Sequence, residues 1–318
     1  MKICADVGGS FVTLAVVDRA GTISHRRRLT TPADSWDAIV DVFRSFAAIH
    51  GADAPLSIAL SGFVDPASGV VTSANVRCVS GRRLATDLEA ALARPVIVTN
   101  DADCFVLAEA RRGAARGHQR VFGIILGTGV GGGLVQDGRL LWGAGGVAGE
   151  WGHGPIITRS RSDPAATPYF QCGCGRWGCL DTVGAARGLE RLHVWLHGEN
   201  TDSREITAEW EAGGAKAAAT IELYLELVSG PLATILNTWA ATIAPVGGGL
   251  SNCGALIREL DIQVRRRMLA MPPAPLLVPA SLGADAGLLG AALMADDWVT
   301  THKSLWPLDV TVQSTFRT

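Results

Sequence analysis

Charge is scarce in this chain and nearly balanced. Only 18% of the 318 residues are Asp, Glu, Lys or Arg, and the formal net charge is -2. That leaves no electrostatic case for a nucleic-acid or membrane partner, which a basic excess would serve. Long apolar runs are missing too. The stretch from Leu223 to Pro245 is interrupted by Glu226, Ser229, Gly230, Pro231 and Asn237, short of the ~20 apolar residues of a membrane span. Nothing reads as a secretory leader, because Met1-Lys-Ile-Cys-Ala-Asp6 runs directly into a polar, glycine-rich turn. The seven cysteines are an odd number, and Cys4, Cys78, Cys104 and Cys253 are scattered in apolar contexts. Such usage does not describe a disulfide framework; it suits buried, inert thiols in a reducing cytoplasm. Disorder is excluded by a 48% hydrophobic share. The length leaves room for two domains, each with its own core.

What is present alternates between strand and helix patterns. Lys2–Asp6, Val12–Val17 and Thr22–Leu29 read as strands. Ser35–Ala48 reads as a helix with Trp36, Ile39, Phe43 and Phe46 on one face. Leu56–Leu60 and Val96–Val98 are short strands, the latter leading into a helix over Ala102–Arg112. A second set begins with strands at Val121–Leu126 and Gly133–Gln136 and a turn at Asp137-Gly138. Residues 214–240 read as a long helix with a kink at Gly230-Pro231, and Thr242–Val246 as a strand. The whole predicts two α/β lobes with a cleft between them. His193 and His197 share helical spacing without a zincin glutamate, which places them on a solvated or half-buried helix face. His25-Arg-Arg-Arg28 reads as a guard against pairing on an edge strand.

The most specific pattern is Cys172-Gly-Cys174-Gly-Arg-Trp-Gly-Cys179, preceded by Gly149-Glu150-Trp-Gly-His153. Three thiols and an imidazole are the ligand set of a closed tetrahedral zinc site. Glu150 would be fixed beside that metal without binding it. Asp6-Val-Gly-Gly-Ser10 allows close approach of backbone to a phosphate, with a carboxylate for Mg²⁺, or is a plain hairpin turn. Leu126-Gly-Thr-Gly-Val-Gly-Gly-Gly133 carries five glycines in seven positions. It is followed by a strand and not by a helix, which favours a phosphate-cradling hairpin over a dinucleotide fingerprint. Asn100-Asp101 lies where a strand ends and a helix begins, so either residue could be an N-cap, or Asp101 a general base. Gly247-Gly248-Gly249 could let an adenine ring lie flat, or simply make a tight turn.

In this order, from Asp6-x-Gly-Gly-Ser10 to Gly247-Gly248, the motifs resemble the ROK family of sugar kinases and repressors, over residues 6 to about 290. Ser73-Ala-Asn75-Val, Ser80-Gly81, Leu84, Asp87-Leu88, Thr99–Phe105 and Gly247–Asn252 resemble bacterial N-acetyl-D-glucosamine kinases in particular. The resemblance implies an actin-like, ribonuclease-H-like two-lobed α/β fold. Residues 1–115, completed by a helix over 284–296, would form the small lobe, 116–290 the large one and 297–318 a tail. It implies ATP-dependent phosphorylation of N-acetyl-D-glucosamine at O6 with Asp101 as base. Ser61, Gly62, Asn75, Asn100, Glu150, His153 and Asp181 would stand around the sugar. Asp6, Gly8, Gly9, Ser10, Gly127, Thr128, Gly129, Gly247 and Gly248 would line the nucleotide and Mg²⁺. His153, Cys172, Cys174 and Cys179 would hold a structural zinc, and a homodimer is the implied assembly. A glucokinase or N-acetylmannosamine kinase is the alternative within the family. A silent sugar sensor or a repressor is the alternative outside catalysis, the latter expected to carry a helix-turn-helix before the phosphate turn that here begins at Asp6. Three positions depart from the family's pattern: Asp181 for a sugar-touching Glu, Ser10 for Thr, and Pro245 within a strand, which predicts an edge or irregular strand there.

Overall fold

The structure, a computed structural model, describes residues 1–51, 54–158, 167–272 and 275–301. Its first sheet opens as a meander of β1 (Lys2–Val7), β2 (Phe11–Val17) and β3 (Ile23–Thr30). Helix α1 (Trp36–His50) begins where Ser35 Oγ accepts the Ala38 N–H, and it buries Ile39, Val40, Phe43, Phe46 and Ala47. It crosses over to β4 (Leu56–Leu60), buried at every position and parallel to β1. A small hairpin of β5 (Phe63–Val64) and β6 (Val71–Thr72) precedes α2 (Leu84–Leu92) and β7 (Val96–Asn100). The strand order is β3-β2-β1-β4-β7. The basic run therefore does lie on an edge strand, with Arg28 over the Phe11 ring.

Helix α3 (Asp101–Arg112) leads to a second sheet of β8 (Arg120–Leu126), β9 (Val130–Gln136) and β10 (Arg139–Leu140). Helices α4 (Asp181–Gly184), α5 (Ala186–His197), α6 (Ser203–Glu211) and α7 (Ala215–Trp239) follow. Then come β11 (Ala244–Gly247), α8 (Gly254–Arg267), β12 (Leu277–Pro279) and α9 (Ala286–Thr301). This sheet runs β10-β9-β8-β11-β12. Each sheet has its own core, and a third cluster joins them through Cys104 and Leu107 of α3 and Leu288 and Ala291 of α9. The two helices touch backbone to backbone: a Cβ at Gly290 would fall 2.0 Å from the Cys104 carbonyl. Where the chain leaves the first sheet and returns to it, the buried Glu109 carboxylate accepts N–H groups from Ala114, Ser281 and Leu282.

Several expectations need correction. Pro245 is not on an edge, since β11 lies between β8 and β12. Ala244 and Val246 bond to the β12 side, so Pro245 faces β8. There the pairing lapses between Ile243 and Val246 for want of its N–H. Helix α7 runs through Gly230-Pro231 as one element, the proline inside it, with Val228, Ser229, Leu232 and Ala233 in the core. It is long and apolar enough to cross a membrane by length and composition, yet it is the central helix of the second core. The last helix starts at Ala286 and ends at Thr301, past the expected 296, because Lys2–Asp296 and Arg111–Asp297 ion pairs hold its final turns. Residues 302–318 of the expected tail lie outside the described residues. His193 is fully buried, its Nδ1 2.9 Å from Thr220 Oγ1, so only His197 keeps the expected half-exposed position. Cys4 and Cys104 are buried, whereas Cys78 and Cys253 are half-buried, and burial raises all four thiols.

Candidate active site

Strand β7 ends at Asn100 and α3 starts at Asp101, and the two side chains divide the work at that junction. Asn100 Oδ1 accepts the Asp103 N–H at 3.0 Å and is the helix cap, while its Nδ2 donates to the Gly62 carbonyl at 2.9 Å. Asp101 does not cap the helix; its carboxylate accepts the adjacent Ala102 N–H at 2.9 Å. Burial, then the nearby Asp6 and Glu150 carboxylates, push Asp101 up to about 7. Burial pushes Asp6, near the end of β1, up to about 6. A fourth carboxyl was not foreseen. Asp103 is 4% exposed, its Oδ1 has no hydrogen-bond partner, and burial followed by Glu150 and Asp101 pushes it up to about 8. Its sequence signal was faint, for an acidic residue in a first helical turn ordinarily serves the helix dipole. Carboxyls this short of counter-charge would suit a nearby divalent cation, for which the sequence marks Asp6.

The glycine turns surround this group. A Cβ at Gly9 would lie 2.8 Å from Asn75 Cβ, which brings the Gly8-Gly9-Ser10 turn against the expected sugar side. Helix α9 closes on the same place, because a Cβ at Gly287 would fall 2.6 Å from Asp6 Oδ2. Ser61 and Gly62 follow β4; Ser61 Oγ accepts from Asn75 Nδ2 at 3.2 Å and its carbonyl accepts from Ser73 Oγ at 2.6 Å. On the second sheet, Gly127-Thr128-Gly129 is the tip of the β8–β9 hairpin, with Thr128 exposed. Gly248, at φ 87°, packs against it, a Cβ there falling 2.4 Å from the Leu126 carbonyl carbon.

The glycines of this region do not all serve one purpose. Gly131, Gly132 and Gly133 lie within β9, where Cβ atoms at Gly132 and Gly133 would meet Trp151 at 2.7 Å and Val106 at 2.6 Å. They admit α3 and the Glu150 loop to the strand, so the turn proper is limited to residues 127–129. Gly247 is likewise buried against the Phe105 ring, and the exposed pair is Gly248-Gly249.

The metal-type cluster assembles as its spacing suggests. One ligand atom each from His153, Cys172, Cys174 and Cys179 lies within 4.8 Å of the others. Cys174 Sγ is 3.6 Å from Cys179 Sγ, and Cys172 Sγ is 3.6 Å from His153 Nδ1. Tetrahedral zinc with Zn–S of ~2.3 Å separates its sulfurs by about 3.8 Å, so the four atoms fit that ion. The Arg176 backbone N–H leads in holding Cys174 down to about 6, near the thiolate form a metal needs. Gly175, at φ 86°, supplies the tight reversal between the sulfurs. With Nδ1 toward the sulfurs, His153 presents Nε2 to Glu150 Oε2 at 3.9 Å. Trp151, unforeseen, donates its indole N–H to the Gly131 carbonyl at 2.8 Å and so ties the Glu150 loop to β9. Asp181, expected beside the sugar, accepts the Val130 N–H on Oδ1 at 2.7 Å and the Cys172 thiol on Oδ2 at 3.7 Å.

A profile of the ROK family matches residues 2–298. The chain belongs to the ROK family. This ROK protein is 35% identical over 294 residues to the N-acetyl-D-glucosamine kinase of Photobacterium profundum, with 91% of the chain and 97% of that relative covered. It is 33% identical to the N-acetyl-D-glucosamine kinase of Escherichia coli O6:H1, with the same coverage. Its fold matches the ROK hexokinase from Thermus thermophilus at 29% identity and a TM-score of 0.77, covering 94% of this chain and 99% of that one. It also matches a ROK family glucokinase from Streptomyces griseus in complex with glucose and AMPPNP, at 27% identity and a TM-score of 0.76, covering 93% and 99%.

Proposed function

We propose that this ROK protein, an ATP-dependent sugar kinase, phosphorylates N-acetyl-D-glucosamine at O6 with Asp101 as general base. The observation that carries the reading is the division of labour at the β7–α3 junction. Asn100 takes the cap, and Asp101 is held uncommitted at a proton affinity near neutrality. A base so poised accepts the 6-hydroxyl proton as the oxygen attacks the γ-phosphorus and ADP departs. The substrate's name comes from the relatives at 33–35% identity.

Asn75, Asn100, Glu150 and His153 are proposed to hydrogen-bond the sugar, His153 through the Nε2 that faces away from the sulfurs. The glycine turn after Asp6 and the hairpin tip at Gly127-Thr128-Gly129 would offer backbone amides to the phosphates, and Gly248-Gly249 a flat surface to the base. Mg²⁺ held beside Asp6 would neutralise developing charge on the transferred group, leaving Asp101 free as base. Zinc on His153, Cys172, Cys174 and Cys179 would fix the loop that carries Glu150. Residues 1–115 with the C-terminal helix, and 116–290, are read as the two lobes that close on the substrates and exclude water. A homodimer is the proposed assembly.

The test is ADP release with Mg²⁺-ATP and N-acetylglucosamine, N-acetylmannosamine, glucose or fructose. Preferred turnover of N-acetylglucosamine, with phosphate on O6 by NMR, is the expected result. A preference for glucose would sink the substrate assignment, and silence on all four the kinase reading.

A further inference from the structure

The carboxylate of Asp181 stands between the metal-type cluster and the glycine hairpin. Oδ1 accepts the Val130 N–H at 2.7 Å, a short, charge-assisted bond to the first residue after the hairpin tip. Oδ2 faces Cys172 Sγ at 3.7 Å. The fit is close, since a Cβ at Gly129 would fall 2.7 Å from Oδ1. The Asp181 backbone is anchored as well, its N–H donating to the Gly152 carbonyl at 2.8 Å on the segment between Glu150 and His153. A few residues later the Ala186 N–H donates to the Gly127 carbonyl at 2.9 Å, so both sides of the hairpin tip are held from α4 and the start of α5.

We infer that Asp181 is a positioning residue for the phosphate side of the site: it links the cysteine loop to the Gly127-Thr128-Gly129 turn and does not contact the sugar. The side chain is short, with Oδ1 taken by Val130 and Oδ2 turned toward Cys172 Sγ. The consequence is a direct mechanical line from the cysteine loop, with Glu150 and His153 beside it, to the turn proposed to cradle phosphate. Sugar-side order is thereby transmitted to the nucleotide side through one carboxylate.

The inference rests on the kinase reading only where it names the hairpin as phosphate-binding. The experiment compares Asp181→Ala and Asp181→Asn with the parent, all zinc-saturated. Three quantities are read: hydrogen exchange over residues 126–136, calorimetric Kd for N-acetylglucosamine, and Kd for the ATP analogue AMPPNP with Mg²⁺. Asp181→Ala is expected to raise exchange in the hairpin and weaken the analogue about tenfold, the scale of one charge-assisted hydrogen bond. It should leave the sugar Kd within about twofold. Asp181→Asn keeps an acceptor for Val130 and should recover analogue binding to within about threefold of the parent. A variant that weakens sugar about tenfold, with hairpin exchange unchanged, would overturn the inference. Should the Ala variant fail to fold, the Asn variant decides by the same two readouts. Failure of the parent to turn over any sugar would sink the kinase reading alone, because hairpin exchange tests Asp181 without turnover.

Discussion

Asp101 and Asp103 sit two residues apart on one helix and make opposite demands. Asp101 must lose its proton to act, so kcat/KM for the sugar should rise with pH to a plateau above about 7. Asp101→Asn should lower kcat by at least about a thousandfold and leave sugar affinity nearly unchanged, as calorimetry beside turnover would show. Asp103 is a carboxyl whose folded-state proton affinity is raised, so the folded state binds the proton more tightly than the unfolded chain. The sign follows: this group's contribution to stability is greatest below pH ~4 and falls as pH rises toward about 8. Asp103→Asn should therefore raise Tm relative to the parent by an amount that grows from pH 5 to pH 8, by about 5 °C or more at the upper end. A flat Tm difference across that range would refute the assignment. At this scale the sequence singled out Asp6, Asp101 and Glu150, and the fold brings these carboxylates near one another. It marked nothing at Asp103 and set Asp181 beside the sugar, whereas Asp181 bonds the Val130 N–H; a buried carboxylate and a solvated one look alike until packing is known.

The elements that bear the site differ in how openly their sequence announces them. The cysteine loop was readable from spacing, and its three thiols and imidazole do converge at separations that fit one ion. The β8–β9 hairpin was readable as a hairpin, but the reason for its glycines was not. Gly132 and Gly133 answer to Trp151 and Val106 on other elements, contacts that no local pattern encodes. Pro245 was half legible: the strand is irregular on its β8 side as a proline requires, yet it is central and not an edge. Within the loop, Cys174→Ser should cost the zinc, measured by metal analysis, and weaken N-acetylglucosamine about tenfold while the AMPPNP Kd moves less. The loop carrying Glu150 borders the cluster directly, whereas Asp181 reaches Cys172 and not Cys174. Loss of zinc with sugar affinity unchanged would dissociate the cluster from the sugar side.

Over the whole molecule, two sheets with separate cores share α3 and α9, and the chain passes between the sheets twice, around residues 113–119 and 280–285. The alternation of strand and helix patterns made this two-part plan legible. The return of the C-terminal helix to the first part came from the resemblance alone, and its backbone contact with α3 depends on residues nearly two hundred apart. Glu109 is where both passages meet, and Glu109→Gln should lose roughly 3 kcal/mol of stability, because an amide nitrogen would then face backbone N–H groups that no longer have an acceptor. Chemical denaturation would measure it. The same carboxylate has a mechanical meaning. Two ropes lashed to one cleat hold or slip together: with both passages bonded to Glu109, neither crossing shifts along α3 without stripping a buried hydrogen bond. Any rearrangement of one sheet against the other that parts these bonds carries the cost of buried N–H groups left without an acceptor.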